Sequence, residues 1–504
     1  MTKTDEYDYV VVGGGTAGCV IAARLSQDPS ARVLLVEAGS ARPERAMRLP
    51  HSWPELLGTP ADWQDTTTAQ ADAGPLRYPR GHTLGGSGAI NAMAHIRGHQ
   101  AVYDRWPAGW QYADLLPFFR RSERADGRDL ALRGTSGPIR VTPVPPAGRH
   151  PVARAFADAL ITVGCPVSDD LSGAVQEGIC WPDLAIVAGR RVSPAGAYLR
   201  PVLSRPNLAV AAGCLATRLL IERGRCTGVS YLRQGTPRQA HASREVIVCA
   251  GAIGTPHLLM LSGIGPARNL RALGIAPAAD LPAVGQNLQD HPVVMTSYAS
   301  QAPLPRSRYN HGEVYAALRS THTAAWPDLQ LFPVLLPMTP PGGRPPETGF
   351  ALMASSVAPD SQGSVRLATA DPQVPPLIDP GFLTAGTDLD QLEAGLELIR
   401  RAAGSGALAR LGSEIHPGPD VRTGTGLRGY IRRTVASYYH PAGTCRLGTG
   451  SDSAVDLELR VRGVEGLRVA DASVMPVIPN APLNATVLAI AEKAAQLIEG
   501  SEHS

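Results

Sequence analysis

A chain of 504 residues with a net charge of +3 has too little excess charge to be read as a partner of nucleic acid or of an anionic membrane surface. Hydrophobic residues at 44% and charged residues at 18% fit a globular protein long enough for two domains, and no apolar run reaches the roughly 18 residues of a membrane span. Seven cysteines, odd in number and never in C-x-x-C spacing, predict reduced thiols; with no secretory signal in MTKTDEYDYVVV, a cytoplasmic location is expected.

From Tyr7 to Gly39 the chain reads as strand, glycine turn, helix and second strand. Val10, Val11 and Val12 suit a strand buried on both faces. Gly13, Gly15 and Gly18 follow in G-x-G-x-x-G register, for a sharp turn, for approach of the backbone to a pyrophosphate, and for close packing of helix on strand. The helix start offers free N–H groups and a positive dipole end to phosphates. Glu37 ends the second strand 19 residues past Gly18, where a carboxylate can accept the ribose hydroxyls of an adenosine. A dinucleotide site is expected here.

Arg80 to Gly98 comes next, with Gly81, Gly85, Gly86 and Gly88 too dense for a helix interior. Running straight into the apolar segment Ala89 to Ile96, it suits a loop pressed on a flat or phosphorylated ligand, with Ser87 and Asn91 as hydrogen-bonding groups. Residues 137–150 mark a composition break, and Pro151 to Val163 reads as an amphipathic helix. Strands are expected between Asn207 and Val229, and a strand, glycine turn and helix between Glu245 and Gly265. From about Thr296 to Val435, short strand candidates between proline and glycine breaks predict an antiparallel, substrate-shaping region. Helices are expected over Asp388 to Ala403, Gly426 to Val435 and Thr486 to Glu499, with a buried strand over Gly466 to Asp471. There is no H-E-x-x-H motif, and the isolated DHP of 290–292 lacks companions, so no metal is expected and His291 reads as structural.

Taken together, VVVGGGTAG, VLLVEAG, GHTLGGSGAIN, YDRW (103–106), GAIGTPHLLMLSGIGP (251–266), VGQNLQDHP (284–292), YYHPAGTCRLG (438–448) and the stretch 467–495 resemble the glucose–methanol–choline (GMC) family of FAD-dependent oxidoreductases. The resemblance runs from Tyr7 to about Ile498 and implies an α/β (α+β overall) fold. In it a Rossmann-like FAD-binding domain is assembled from separated segments, 1–150, 205–295 and 436–504. A substrate domain with a large antiparallel sheet takes 151–204 and 296–435. His82 and His95 depart from the usual residues of the family near the flavin. Ile90 stands where covalently flavinylated members carry His, which implies non-covalent FAD.

The resemblance also implies site residues. His440 becomes the base that takes the hydroxyl proton of an alcohol, a task suited to imidazole. Asn484 orients the alcohol oxygen, its type also permitting a cap on the last helix. Cofactor contacts fall on Gly13, Gly15, Gly18, Glu37, Thr83, Gly85, Gly86, Ser87, Asn91, Met93, Ala94, Ala216, Asp471 and Ala472, with Tyr439 on the substrate side. The implied activity is oxidation of a primary alcohol, aryl or small aliphatic, to the aldehyde, with hydride passing to flavin N5 and oxygen or a quinone-type carrier reoxidising the flavin. A hydroxynitrile lyase or photoactive decarboxylase of the same family is the alternative.

Overall fold

A computed structural model describes residues 6–500. Strands Glu6–Val12 and Val33–Glu37 pair in parallel, joined by helix Thr16–Leu25. They sit in a seven-stranded sheet with Leu208–Ala212 beyond Val33–Glu37, and Thr236–Val248 on the other side of Glu6–Val12, itself flanked by Leu467–Val469. All five of these pair in parallel, whereas Cys214–Glu222, Arg225–Arg233 and the start of Thr236–Val248 form an antiparallel extension. Val10, Val11, Val33, Leu35, Val246 and Val248 are fully buried, as expected for strands covered on both faces. Helices Thr16–Leu25 and Asn484–Gly500 pack side by side over this sheet.

Gly18 explains why the first helix can lie so close to its strand. A methyl group built there would stand 1.9 Å from the Gly13 carbonyl oxygen. Gly13 has φ +102°, a left-handed conformation that glycine adopts without steric cost, and a Cβ on it would strike the Cys249 carbonyl at 2.5 Å.

The second large sheet is antiparallel through Gly412–His416, Pro292–Ser300, Gly349–Ser356, Leu329–Val334, Tyr315–Leu318 and Gly178–Cys180. Its side chains alternate, as the period of a strand requires. Val294, Leu331, Leu352 and Ala354 join a core with Phe156 of helix Pro151–Thr162 and Leu389, Leu392 and Leu396 of helix Gly386–Ala403. Their neighbours Val293, Met295, Phe332 and Met353 point the other way, into a large cavity. Gly395 permits the helix to settle on the sheet, since a Cβ there would lie 2.8 Å from Ala354 and Leu329 side-chain carbons. Both parts of the expected architecture are present.

Several expectations shift. Residues 137–150 hold strand Ile139–Pro143 rather than a plain break, because Ile139 and Val141 reach the core. Within the region expected to be one antiparallel unit, strand Gly363–Arg366 joins a separate five-stranded sheet. The expected border at 295/296 falls inside strand Pro292–Ser300. The last helix begins at Asn484, so Asn484 is its first helical residue and not a cap placed before Thr486.

His95 lies in a buried ionic cluster. Its Nε2 is 2.8 Å from Glu123, whose carboxylate also accepts from Arg97 (2.5 Å) and Arg133 (2.7 Å), with Asp183 (2.8 Å) and Asp170 (2.5 Å) on the far side of Arg133. The cluster supports the glycine loop from behind: His95 N–H donates to the Asp183 carbonyl and Ala185 N–H to that of Met93, both at 2.9 Å. Removing Glu123 leaves the buried Arg97 guanidinium with no carboxylate and takes one of three from Arg133, so Glu123→Ala is expected to lose about 3–5 kcal/mol in denaturant unfolding. Asp126→Ala, which breaks only exposed pairs to Arg124 and Arg140, is expected to change stability by less than about 1 kcal/mol. Equal losses in the two variants would contradict this reading.

Candidate active site

A cavity of about 780 Å³ runs between the carboxyl ends of the parallel strands and the antiparallel sheet. That crevice is where open α/β sheets hold their ligands. At one end lie Gly13, Gly15, Thr16, Glu37 and Ala216; Gly86, Ser87, Asn91, Met93, Ala94, Asp471 and Ala472 also line the cavity, together with Tyr439, His440 and Asn484. Its aromatic and thioether lining comes from Tyr315, Phe332, Tyr438, Met295 and Met353.

Three expected contacts stand behind the lining rather than in it. Gly18 serves helix packing, as described above. The Thr83 hydroxyl donates to the Ser40 carbonyl (3.0 Å), and Gly85 N–H donates to the Gly14 carbonyl (2.7 Å), tying the two glycine turns together. His82 is also outside the lining, its Nδ1 3.2 Å from the Pro60 carbonyl and its ring against Trp63. Neither departure from the family pattern alters the cavity wall directly.

The donor set fits a dinucleotide. The helix at Thr16 has Gly15 before it, no side-chain cap and no acidic residue in its first turn, so its N–H groups are left for an anion. Gly86 passes so close to Gly15 that a Cβ on it would lie 2.7 Å from the Gly15 Cα. Glu37 accepts from Gly14 N–H and Gly39 N–H, both at 2.7 Å, while burial pushes its carboxyl up to about 7. Asp471 accepts from Gly251 N–H (2.9 Å), the Thr255 hydroxyl (2.6 Å) and Ser473 N–H (2.8 Å), which joins the 251–261 helix to the 472–474 turn. Ile90 lines the cavity with no nucleophilic atom, consistent with a non-covalent cofactor.

Elsewhere on the cavity wall, the turn Ser437–His440 is fixed by Asp290. This carboxylate accepts from His440 N–H (2.9 Å), His291 N–H (2.8 Å) and the Ser437 hydroxyl (2.5 Å). Tyr438 N–H donates to the His291 carbonyl (2.9 Å) and Tyr439 N–H to the Ser437 hydroxyl (2.7 Å). These bonds hold Tyr439 at φ +67°, unusual for a side-chain-bearing residue. Gly443 closes the loop at φ +88°, where a Cβ would strike the Asn287 carbonyl at 2.5 Å. Burial pushes Asp290 up to about 6 and His440 down to about 3, so His440 is neutral at physiological pH. Asn484 accepts from the Thr16 hydroxyl (2.9 Å), joining the starts of the first and last helices at the cavity.

Three residues escaped the sequence reading. Asp290 sits in the DHP triplet, and its role became visible only once three donors converged on it. His291, read there as structural, has its ring edge-on to His440 with Nδ1 to Nδ1 at 2.9 Å. Arg191, which donates to Asn91 Oδ1 (2.8 Å) from outside the cavity lining, carries no signal in the sequence at all. Among the described residues no group of three or more His, Cys, Asp or Glu gathers as a metal site, and no helix is long and apolar enough to cross a membrane.

A dinucleotide crevice that also carries a neutral histidine and an apolar, aromatic wall fits an oxidoreductase that works through a bound dinucleotide. Models of the GMC oxidoreductase N- and C-terminal regions match residues 7–293 and 359–491. The chain belongs to the GMC oxidoreductase family. It is 39% identical to human mitochondrial choline dehydrogenase, over 98% of this chain and 90% of that protein. It is 36% identical to the oxygen-dependent choline dehydrogenase of Burkholderia ambifaria, over 99% and 94%. Among solved structures, pyridoxine 4-oxidase from Mesorbium loti superposes with a TM-score of 0.93 at 34% identity, covering 99% of each chain. A fungal aryl-alcohol oxidase superposes at 0.85 with 25% identity, over 99% of this chain and 100% of that one.

Proposed function

We propose that the protein oxidises a primary alcohol to the aldehyde, with His440 as the base. The observation that carries this reading is a neutral, buried imidazole lining the same cavity as the glycine cradle. FAD, when bound, supplies the hydride acceptor. His440 takes the hydroxyl proton, so that the α-carbon can release its hydride. Asn484 donates from its amide N–H₂ to the developing alkoxide, since its carbonyl oxygen is already engaged by Thr16. Phe332 and Tyr438, stacked with ring centres 4.8 Å apart, offer an apolar wall for an aryl or short aliphatic group, with Tyr439, 42% exposed, at the substrate side. Gly13, Gly15 and the start of the first helix hold the pyrophosphate, Glu37 the ribose, and Ala216 the adenine. Gly86, Ser87, Asn91, Met93 and Ala94 take the flavin side, with Asp471 and Ala472 on the ribityl chain. All seven cysteines are free thiols, which suits a reducing, cytoplasmic setting.

The test is a panel of aryl, heteroaryl and aliphatic alcohols, choline included, against the holoprotein. Aldehyde, peroxide and dye reduction are followed together, so that the use of oxygen and of a quinone-type carrier is read side by side. Aldehyde formed from at least one primary alcohol is expected. No aldehyde from any alcohol, with cyanide released from a cyanohydrin, would favour the lyase instead.

Glu37 adds a pH dependence. Its ionised form accepts ribose hydroxyls, whereas a proton on it removes an acceptor. Below about 7 binding must expel that proton, so FAD affinity for the apoprotein is expected to rise with pH up to about 7 and level off above. Fluorescence titration of FAD checks this: Glu37→Gln should lose the dependence, and a parental Kd that stays flat through neutrality would contradict it.

A further inference from the structure

We infer that His291 is the positioning partner of His440, its Nδ1 accepting the His440 Nδ1 proton and so leaving Nε2 of His440 as the basic nitrogen. The inference rests on the proposed role of His440 as the base and assigns which nitrogen does the work.

The geometry leaves few alternatives. Two Nδ1 atoms 2.9 Å apart need one N–H and one lone pair between them. Two protons would clash, and two lone pairs would repel. Burial keeps both rings neutral, so each carries a single proton. What remains is which ring donates. His440 Nδ1 is engaged with His291, so Nε2 is the nitrogen of His440 left to take a proton from a substrate in the cavity it lines. With His440 as the base, that nitrogen must carry the lone pair, which places the His440 proton on Nδ1 and the His291 proton on Nε2. A proton there makes His291 Nδ1 the acceptor and His440 Nδ1–H the donor. The free lone pair of His440 is then on Nε2, as a base requires. In the reverse arrangement Nε2 of His440 would be protonated and could accept nothing.

The same bond serves the charged state. When Nε2 takes the alcohol proton, His440 becomes an imidazolium whose Nδ1–H already points at a neutral acceptor. Asp290 fixes both rings by accepting from both backbone N–H groups, at 2.8 and 2.9 Å. The other titratable groups packed around the pair are Tyr438, whose ring centre is 4.4 Å from that of His440, Tyr439, and Tyr78 beside Asp290; Arg77 acts on Tyr439.

The test compares FAD-loaded parent, His440→Ala, His291→Leu and His291→Asn by anaerobic flavin reduction with a turnover alcohol across the pH range. The flavin band and thermal melting report folding. His291→Leu is expected to slow the limiting rate about 10²-fold and to move the acidic limb to lower pH, because the imidazolium loses its acceptor. His291→Asn, whose amide oxygen can stand near the Nδ1 position, is expected to recover the rate to within about tenfold of the parent and to bring the limb back. Where His291→Leu does not hold flavin, His291→Gln takes its place, since its amide reaches past the Nδ1 position, and the same slow rate is expected. A parental rate and limb without the acceptor overturn the inference. So does an asparagine variant as slow as the leucine one. A parental rate in His440→Ala instead overturns the alcohol-oxidation reading itself, and the inference falls with it.

Discussion

His440→Ala is expected to retain FAD and fold yet reduce its flavin about 10²–10⁴-fold more slowly with any alcohol that the parent oxidises, the range a positioned general base contributes. The retained fold follows from where the fixing bonds are made. Asp290 accepts from the backbone N–H of residue 440, and the loop is held by Ser437, Tyr438 and Gly443, so truncating the imidazole leaves these bonds in place. The truncation opens a small cavity beside Tyr438 and leaves His291 Nδ1 without a partner, a moderate stability cost. Stopped-flow absorbance of the flavin band measures the rate, and the visible spectrum with thermal melting measures the rest. A variant that keeps the parental rate would remove His440 from the chemistry.

Gly18→Val is expected to weaken FAD binding strongly or abolish it. Even the first carbon of a side chain stands 1.9 Å from the Gly13 carbonyl oxygen, and the obstacle is backbone, which cannot rotate away. Relief requires the helix Thr16–Leu25 to lift from its strand, which moves the N–H groups meant for the pyrophosphate. Overpacking of this kind costs about 1–3 kcal/mol in a core that can adjust. Here the strain falls on the binding turn itself, so a rise of Kd of at least about tenfold is expected. Titration of the apoprotein with FAD gives the number. Unaltered affinity would show that Gly18 is not the point where helix and strand are pressed together.

Residues 7–39 were legible because each part carries its own local reason. Three valines, three glycines in register and a carboxylate at the end of the second strand need no distant partner to be read. The helix over Asp388 to Ala403 was legible from its apolar stripe, which the structure places against the antiparallel sheet. What escaped depends on contacts across long stretches of sequence. The His291–His440 pair is separated by 149 positions, and nothing in a DHP triplet announces where its imidazole will lie. His95 looked like a change in the flavin pocket because of its neighbours in sequence. Its side chain turns instead to Glu123, 28 residues on, where two arginines had already set up a buried site for it. Thr83 and Gly85 were expected on the cofactor for the same reason, and they hold the loop from behind.

The most direct test is a crystal structure of the FAD-bound protein with an unreactive alcohol analogue. The account predicts Nε2 of His440 and the amide of Asn484 both within hydrogen-bonding distance of the analogue's hydroxyl oxygen, with its α-carbon set over flavin N5. An imidazole turned from the isoalloxazine, or an analogue held where neither residue reaches it, would contradict the account.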